Sequence, residues 1–370
     1  MRQVADGHVP ESIDTPAVCI RLDALERNLE RMAALAAGAG VRFRPHIKTH
    51  KCVWIAQRQL THGAAGITAA KLGEAEVMAA AGIDDILLAY PLTGASKLQR
   101  LAELLRHTKV AVSADHPAVV RGLSDLGESL KRRIPLYVDV NTGLNRCGRE
   151  PGEDSAALVR HLSRYPGIEV RGLMTHAGHA AGCSTVEEIR RVARHEAESL
   201  VMTQRLLRES GIDVPEISVG SSLTAAFIGE QSGVTELRAG AYVFADRGQL
   251  AHGMIAADDC AMLVAATVVS MPRPGTAIID AGSKTFSSDP NRRLPGYGQW
   301  VDDGRVVVER LNEEHGMLRV PGDVRLNVGQ RMQFIPNHCC AVSNLHDRLY
   351  GIRNGKVARV LTVDGRGRSQ

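Results

Sequence analysis

Residues 71–115 read KLGEAEVMAAAGIDDILLAYPLTGASKLQRLAELLRHTKVAVSAD. Two helical patterns, KLGEAEVMAAAG and GASKLQRLAELLRH, alternate with two strand-like runs, DDILLAYP and KVAVSAD. In the helical patterns the apolar residues recur every three or four positions; the strand runs are short and apolar. The same rhythm continues in both directions. Upstream lie the helix LDALERNLERMAALAAG, the strand VRFRPHI, the helix KCVWIAQRQLTHG and the short strand AAGITAA. Downstream come the strands RIPLYVDVNTG, IEVRGLMTHAG and VPEISVGSS, each preceded by a helix, and a last β-like run, VTELRAGAYVF. Eight strands alternating with helices between residue 24 and about 245 predict a (β/α)8 TIM-type barrel; a doubly wound open sheet is the competing arrangement.

After residue 250 the texture changes. Short Val- and Ile-rich runs, among them CAMLVAATVVSMP, RVVVERL, QRMQFIP and GKVARVLTVDG, are separated by turn residues, and no helical pattern interrupts them. The expected organisation is an N-terminal segment over 1–23, a barrel over 24–250 and an antiparallel β domain over 251–370. The strand-like TPAVCIRL in the first segment is expected to join the β domain.

A net charge of +4 on 370 residues, with no block of like charges, argues against a nucleic-acid arm. No run of 18 apolar residues offers a transmembrane helix, and the first residues lack the apolar middle of a signal peptide. Seven cysteines, an odd number without framework spacing, read as thiols of a cytoplasmic protein.

In a barrel, chemistry sits at the C-terminal ends of the strands. Those ends read RPHIKTH, ITAAK, AYP, SAD, VDVNTGLNRCG, MTHAGH, SVGSSLT and RAGAY, and polar and glycine residues concentrate there. Lys48 thus stands at the mouth of a site. GSSLT (220–224) and AGAY (239–242) close the last two strands, where barrel phosphate sites form. Gly220, Ser221, Ser222 and Gly240, Ala241, Tyr242 are the residues that would hold a phosphate; a plain turn is the alternative. An amine at one strand end and a phosphate cradle at two others match pyridoxal phosphate, with Lys48 forming the Schiff base. Arg146, between glycines, could be a surface ion-pair partner or a guanidinium aimed at the cofactor's phenolate oxygen. In the β domain, His338 and Cys340 of IPNHCCAVSNLHD stand two apart; on an extended strand both face one side and could reach one ion. Glu313, Glu314 and His315 of NEEHG offer further ligands or simply form a turn.

At these residues the chain resembles the D-threonine aldolase and D-serine dehydratase family, relatives of alanine racemase among fold-type III pyridoxal-phosphate enzymes. RPHIKTHK, GEAEVMAAAGIDDILLAYPLTG, VDVNTGLNRCG, GLMTHAGH, TELRAGAYVFAD, IIDAGSK, EEHG and IPNHCCAVSNLHD carry the resemblance, in the family's order. It implies a barrel and a β domain, and a homodimer with its sites at the subunit interface. It implies Lys48 as the Schiff-base lysine, Arg146 beside the phenolate, and His338 and Cys340 as ligands of a catalytic divalent metal. Substrates would be D-configured 3-hydroxy amino acids. Two departures stand out. The family's aldolases carry His-x-Asp at the metal, whereas this chain has His-x-Cys, as the dehydratases do. His176 stands where many members place a tyrosine beside the cofactor ring.

A thiolate ligand suits Zn²⁺, with Mn²⁺ or Mg²⁺ as alternatives. The preferred expectation is therefore a D-serine/D-threonine-type dehydratase giving a 2-oxo acid and ammonia. The alternatives are a D-threonine aldolase, a racemase, which needs no metal at Cβ, or a non-catalytic pyridoxal-phosphate-binding protein.

Overall fold

The computed structural model describes residues 9–289, 291 and 293–370. The chain divides into two compact units. One comprises Arg31–Lys48, Ile55–Gly240 and Gly367–Gln370; the other comprises the chain up to Glu30, Thr49–Trp54 and Ala241–Arg366. Strand β1 (Ala17–Arg21) belongs to the second unit and the next eight strands to the first.

The first unit is a parallel sheet of β2 (Arg42–Phe43), β3 (Ile67–Ala69), β4 (Asp85–Leu88), β5 (Lys109–Ala114), β6 (Ile134–Asp139), β7 (Ile168–Met174), β8 (Glu216–Val219) and β9 (Glu236–Leu237). Their order is β2-β9-β8-β7-β6-β5-β4-β3. The outermost members, β2 and β3, meet through a parallel bridge between His46 and Thr68, and the Thr68 N–H donates to the Pro45 carbonyl at 2.8 Å. The sheet therefore curls until its edges join. Helices alternate with the strands and bury their apolar faces; Leu101, Leu104 and Leu105 of Ala95–Leu105 are an example. Ile86, Leu87 and Leu88 of β4 are all fully buried, as expected for a parallel strand covered on both faces.

Inside the curl, side chains two apart on one strand share a face. On β2 and just beyond it those residues are Arg42 and Arg44, on β8 Glu216 and Ser218, and on β9 and just beyond it Glu236 and Arg238. They form one polar network. Arg44 Nε donates to Glu236 at 2.8 Å, Ser218 Oγ donates to Glu236 at 2.7 Å, and Arg238 Nε donates to Ser218 Oγ at 2.8 Å. Arg42, Arg171 and Tyr137 converge on Glu216, and Arg44 also reaches Asp85. Glu236, Ser218, Arg44 and Arg238 are all buried.

The second unit is a nine-stranded sheet. It contains β1 together with β10 (Met262–Arg273), β11 (Thr276–Ile279), β12 (Gly298–Trp300), β13 (Val307–Leu311), β14 (Gly316–Arg319), β15 (Arg331–Pro336), β16 (Arg348–Arg353) and β17 (Lys356–Thr362). The order is β11-β14-β13-β12-β15-β10-β1-β16-β17, and β10 pairs also with β11, which closes six of the strands on themselves. β10 does this by bending: its pairing with β11 shifts register twice, at Val268/Ser270 and Ser270/Arg273. β1 lies between β10, to which it is antiparallel, and β16, to which it is parallel. Phe286 packs edge-on against Phe334 in this core, with ring centroids 6.0 Å apart.

One expectation fails here. Helices do interrupt this unit, at Ser283–Phe286 and Cys339–Leu345. The second buries Cys339, Val342 and Ser343, a three-to-four-residue spacing on one helix face within CCAVSNL. No helix among the described residues is long and apolar enough to cross a membrane.

Glu236 bonds both an arginine and a serine in a buried setting, so neutralising it strands charge. Glu236→Gln should destabilise the protein by about 3–5 kcal/mol, the usual cost of breaking a buried ion pair from one side. The shift of the urea midpoint measures this. A loss below about 1 kcal/mol would show that the network does not stabilise the sheet.

Candidate functional site

Lys48 lies on the one-turn helix Ile47–Thr49, directly after the segment that joins β2 to the bridge with Thr68. It is half-buried, and its N–H donates to His46 Nδ1 at 3.4 Å. The loop after β6 is folded back by a bridge between Val140 and Arg149, and the Gly148 N–H donates to Asp115 at 2.8 Å. Asn145 takes a positive φ of 56° there and presents Arg146. After β7 come Thr175, whose hydroxyl bonds that of Thr142 at 2.8 Å, and His176, whose Nδ1 lies 3.3 Å from the Gly220 carbonyl. Asp139, Thr142, Arg146, Cys147, Thr175 and His176 line one small cavity.

The charges in this region are unbalanced. Burial first, then Lys48, Arg238 and His176, hold the His46 imidazole well below its usual range; burial, then Lys48, Arg238 and Arg146, do the same for His176. Both rings are neutral near neutral pH. Burial also pushes the Asp139 carboxyl up to about 6, against the pull of Arg238. Lys48, Arg146 and Arg238 act on two neutral imidazoles and a weakened acid, with Asp115 beside that acid and Glu236 behind Arg238, and a set this rich in cations fits a group bringing several negative charges. Pyridoxal phosphate, with its phosphate and phenolate, is such a group.

The turn after β8 supplies a matching backbone. The Ser221 N–H donates to Thr224 Oγ1 at 2.9 Å, and the Thr224 N–H donates back to Ser221 Oγ at 3.2 Å. Gly220 enters the turn at φ +111°, and a Cβ on it would stand 2.5 Å from Leu237 Cδ1. Ser222 is half-buried beside it. Gly240 ends the segment Ile55–Gly240 of the parallel unit, whereas Ala241 and Tyr242, on the turn Ala241–Val243, belong to the other.

His338 and Cys340 are not on a strand. β15 ends at Pro336, His338 is the N-cap of the helix Cys339–Leu345, and Cys340 lies in its first turn. The two side chains still interact: Cys340 and then Asp246 raise the His338 imidazolium far above its usual value. Asp246 holds the corner together. It caps the short helix Arg247–Leu250 through the Gln249 N–H at 3.1 Å, accepts from the Cys339 N–H at 3.2 Å, and lies 3.5 Å from His338 Nδ1. The Thr49 hydroxyl is 3.1 Å from Cys340 Sγ. A site that favours a proton on imidazole through a thiol and a carboxylate also favours a divalent cation, so the donor set fits a metal. Among the described residues no trio of His, Cys, Asp or Glu converges to complete it. NEEHG supplies no ligand: it is the turn between β13 and β14, with Glu313 and Glu314 both paired to Lys284 at 2.9 Å.

Arg238, His46, Asp139 and Asp246 fall inside stretches quoted for the resemblance, yet sequence alone assigns them no role. Arg238 carries a further signal, its place two residues after Glu236 on a strand-like run.

The chain is similar to known proteins over most of its length. Residues 20–248 match the model of the alanine racemase N-terminal domain, and residues 261–352 match a putative serine dehydratase domain. A D-threonine aldolase of Arthrobacter sp. is 34% identical over 97% of this chain and 94% of its own length. A D-threo-3-hydroxyaspartate dehydratase of Delftia sp. is 36% identical over 89% of this chain and 92% of its own. A solved structure of such a dehydratase, a variant with one cysteine replaced by alanine in the metal-free form, superposes with a TM-score of 0.87 at 32% identity, covering 95% of this chain and 97% of that one.

Gly220→Ala should lower stability by roughly 1–3 kcal/mol, because it combines a disfavoured φ with a clash against Leu237. Thermal unfolding tests this; an unchanged midpoint would mean that the turn relaxes without cost.

Proposed function

Because the chain belongs to the family of the alanine racemase N-terminal domain, we propose that it is a lyase using pyridoxal phosphate and a divalent metal ion on D-configured 3-hydroxy amino acids. The preferred outcome is dehydration to a 2-oxo acid and ammonia. The observation that carries this reading is the cation-rich cluster around Lys48, with two imidazoles kept neutral beside a glycine–serine turn. The relatives named for aldolase and dehydratase activity span nearly the whole chain, which supports the lyase class. On this reading the curled sheet is a TIM-type barrel and the protein a cytoplasmic homodimer whose sites lie at the subunit interface.

Bound there, pyridoxal phosphate would supply an electron sink for charge developing at the substrate's Cα, and a divalent ion would supply Lewis acidity at the β-hydroxyl. The chain's own residues divide the remaining work. Gly220, Ser221, Ser222 and Gly240 would take the phosphate. Arg146 would serve the phenolate oxygen, and His176 would pack beside the ring. Lys48 would be the covalent anchor, and its free Nζ would be the base that takes the proton from Cα. His338 and Cys340 would hold the ion, and Asp246, 3.5 Å from His338 Nδ1, would orient that ring. The Cys340 thiolate favours Zn²⁺ over Mn²⁺ or Mg²⁺.

A second reading, D-threonine aldolase, is favoured by the Arthrobacter relative. The same residues would then serve cleavage of Cα–Cβ, giving glycine and an aldehyde. Product analysis with D-threonine separates the two: 2-oxobutyrate and ammonia support dehydration, and glycine with acetaldehyde supports the aldolase. Neither product, with cofactor and metal supplied, would contradict both.

Borohydride reduction of the pyridoxal-phosphate-loaded protein, followed by peptide mapping, should label Lys48. A label on Lys51, Lys71 or Lys284 would overturn the anchor. Asp246→Asn should weaken metal affinity about 10–100-fold, as loss of a ligand-orienting partner does, while leaving pyridoxal phosphate bound. Metal titration followed by equilibrium dialysis of the cofactor checks both halves.

A further inference from the structure

Arg247 is buried in the β unit, and no carboxylate among the described residues pairs with it. Its partners are neutral oxygens. Nε donates to Gln299 Oε1 at 2.8 Å, and Nη1 donates to the Pro295 carbonyl at 2.6 Å and to Asn337 Oδ1 at 3.0 Å. The charge that bears on it, Arg319, repels it. A guanidinium taken out of water without a counter-charge is costly, and neither candidate centre uses this one. Its bonds nevertheless have a pattern. The group is planar, with donors in a rigid fork, so Pro295, Gln299 and Asn337 are held at fixed distances from one another.

Asn337 is the partner that matters, because His338 follows it. It is buried, its N–H donates to the Tyr297 carbonyl at 3.0 Å, and its Nδ2 donates to the Gly296 carbonyl at 2.5 Å. Residues 246 and 247 thus grip residues 337–339 side by side. Arg247 bonds Asn337, while Asp246 accepts from the Cys339 N–H at 3.2 Å and lies 3.5 Å from His338 Nδ1. The backbones are close as well: a Cβ on Gly248 would stand 3.1 Å from Asp246 Oδ1 and 3.5 Å from the Asn337 carbonyl oxygen. Asp246 acts on the His338 ring; Arg247 acts on the backbone that leads into it.

We propose that Arg247 is a positioning residue: by tying Asn337 to the segment 295–299, it sets where His338 and Cys340 stand before an ion arrives. The assignment rests on the reading of His338 and Cys340 as metal ligands. Zn²⁺ takes nitrogen and sulfur donors only within a narrow range, about 2.0–2.3 Å, so a small displacement of either ligand weakens binding. His338 is the N-cap of the helix Cys339–Leu345 and Cys340 lies in its first turn, so a shift of Asn337 moves the start of that helix and both ligands with it. A charged donor suits the task, since its hydrogen bonds are roughly twice as strong as those of a neutral one. No neutral side chain offers three donors in one rigid plane.

The test uses the whole chain loaded with pyridoxal phosphate and measures Zn²⁺ affinity by competition with a chromophoric chelator. Arg247→Met keeps the stem and removes the fork. It should weaken Zn²⁺ binding about 10–100-fold, as loss of an outer partner does, with pyridoxal phosphate affinity unchanged. Unchanged Zn²⁺ affinity, or an equal loss of both ligands, overturns the proposal. Arg247→Lys keeps the charge but offers one point donor, so it should also bind Zn²⁺ weakly; wild-type affinity would assign the effect to charge and overturn the bracket. This milder variant decides the matter if Arg247→Met does not fold. Asn337→Ala should weaken Zn²⁺ binding too, and combining it with either Arg247 variant should add little, because one bond is removed twice; fully additive losses count against the proposal. Co²⁺ in place of Zn²⁺ gives a reading apart from affinity. Its visible d–d bands report ligand geometry and should differ between wild type and Arg247→Lys; identical bands overturn the assignment. Cys340→Ala separates the two layers. If it binds Zn²⁺ like wild type, the metal reading fails and the role of Arg247 with it. If it loses the ion while both Arg247 variants bind as wild type, the ligand pair stands and only the role of Arg247 falls.

Discussion

The buried carboxylate of Glu236 governs the parallel unit. Barrel interiors are commonly filled by layers of branched apolar side chains. Here part of that volume is taken by Arg44, Ser218, Glu236 and Arg238, tied together by hydrogen bonds of 2.7–2.8 Å. Charges in such a place are tolerable only as a complete set, since each partner removed leaves another desolvated and alone. The network also has a direction. It runs from the Asp85 and Glu216 pairs through Glu236 to Arg238, whose guanidinium reaches the Thr175 carbonyl beside His176. The polar interior thus braces the strand ends that carry the candidate site, and it delivers a positive charge there that no solvent-exposed residue could hold as firmly.

The two candidate centres have opposite electrostatic character. Around Lys48, Arg146 and Arg238 the cations outnumber what Asp139 can offset, and two imidazoles are forced neutral. Around His338 the thiol of Cys340 and the carboxylate of Asp246 do the reverse and draw positive charge onto the ring. A fold that spends burial on unbalanced charge in two places is prepared for two ligands of opposite sign.

Much of this was legible in the sequence, for identifiable reasons. Long amphipathic helices and buried strands such as Asp85–Leu88 advertise themselves through periodicity. Arg42–Phe43 and Glu236–Leu237, strands of two residues each, were found only because they fell in rhythm with stronger neighbours. Lys48 was visible because a lysine at a strand end is chemically conspicuous. The local geometry of His338 and Cys340 was not. NHCCAVSNL shows too few turns to declare a helix, and an extended reading fitted the two-residue spacing as well. Asp246 and Asp139 stood inside quoted stretches but gave no sign of what they do: one caps a four-residue helix and the other lines the cavity after β6. Their significance comes from what they meet in space, which local sequence does not encode.

The position of β1 bears on how the chain is made. Residues 17–20 pair with 262–265, and residues 19–21 with 350–352, so this strand needs partners that are synthesised long after it. At about 5–20 residues per second, that strand waits roughly 15–70 s for its second neighbour. In the parallel unit β3 to β9 pair in sequence order, and it is β2 that waits, for β9. The β unit must close late, over a sequence separation that slows folding, and until then AVCIR is an unpaired strand with its backbone donors and acceptors unmet.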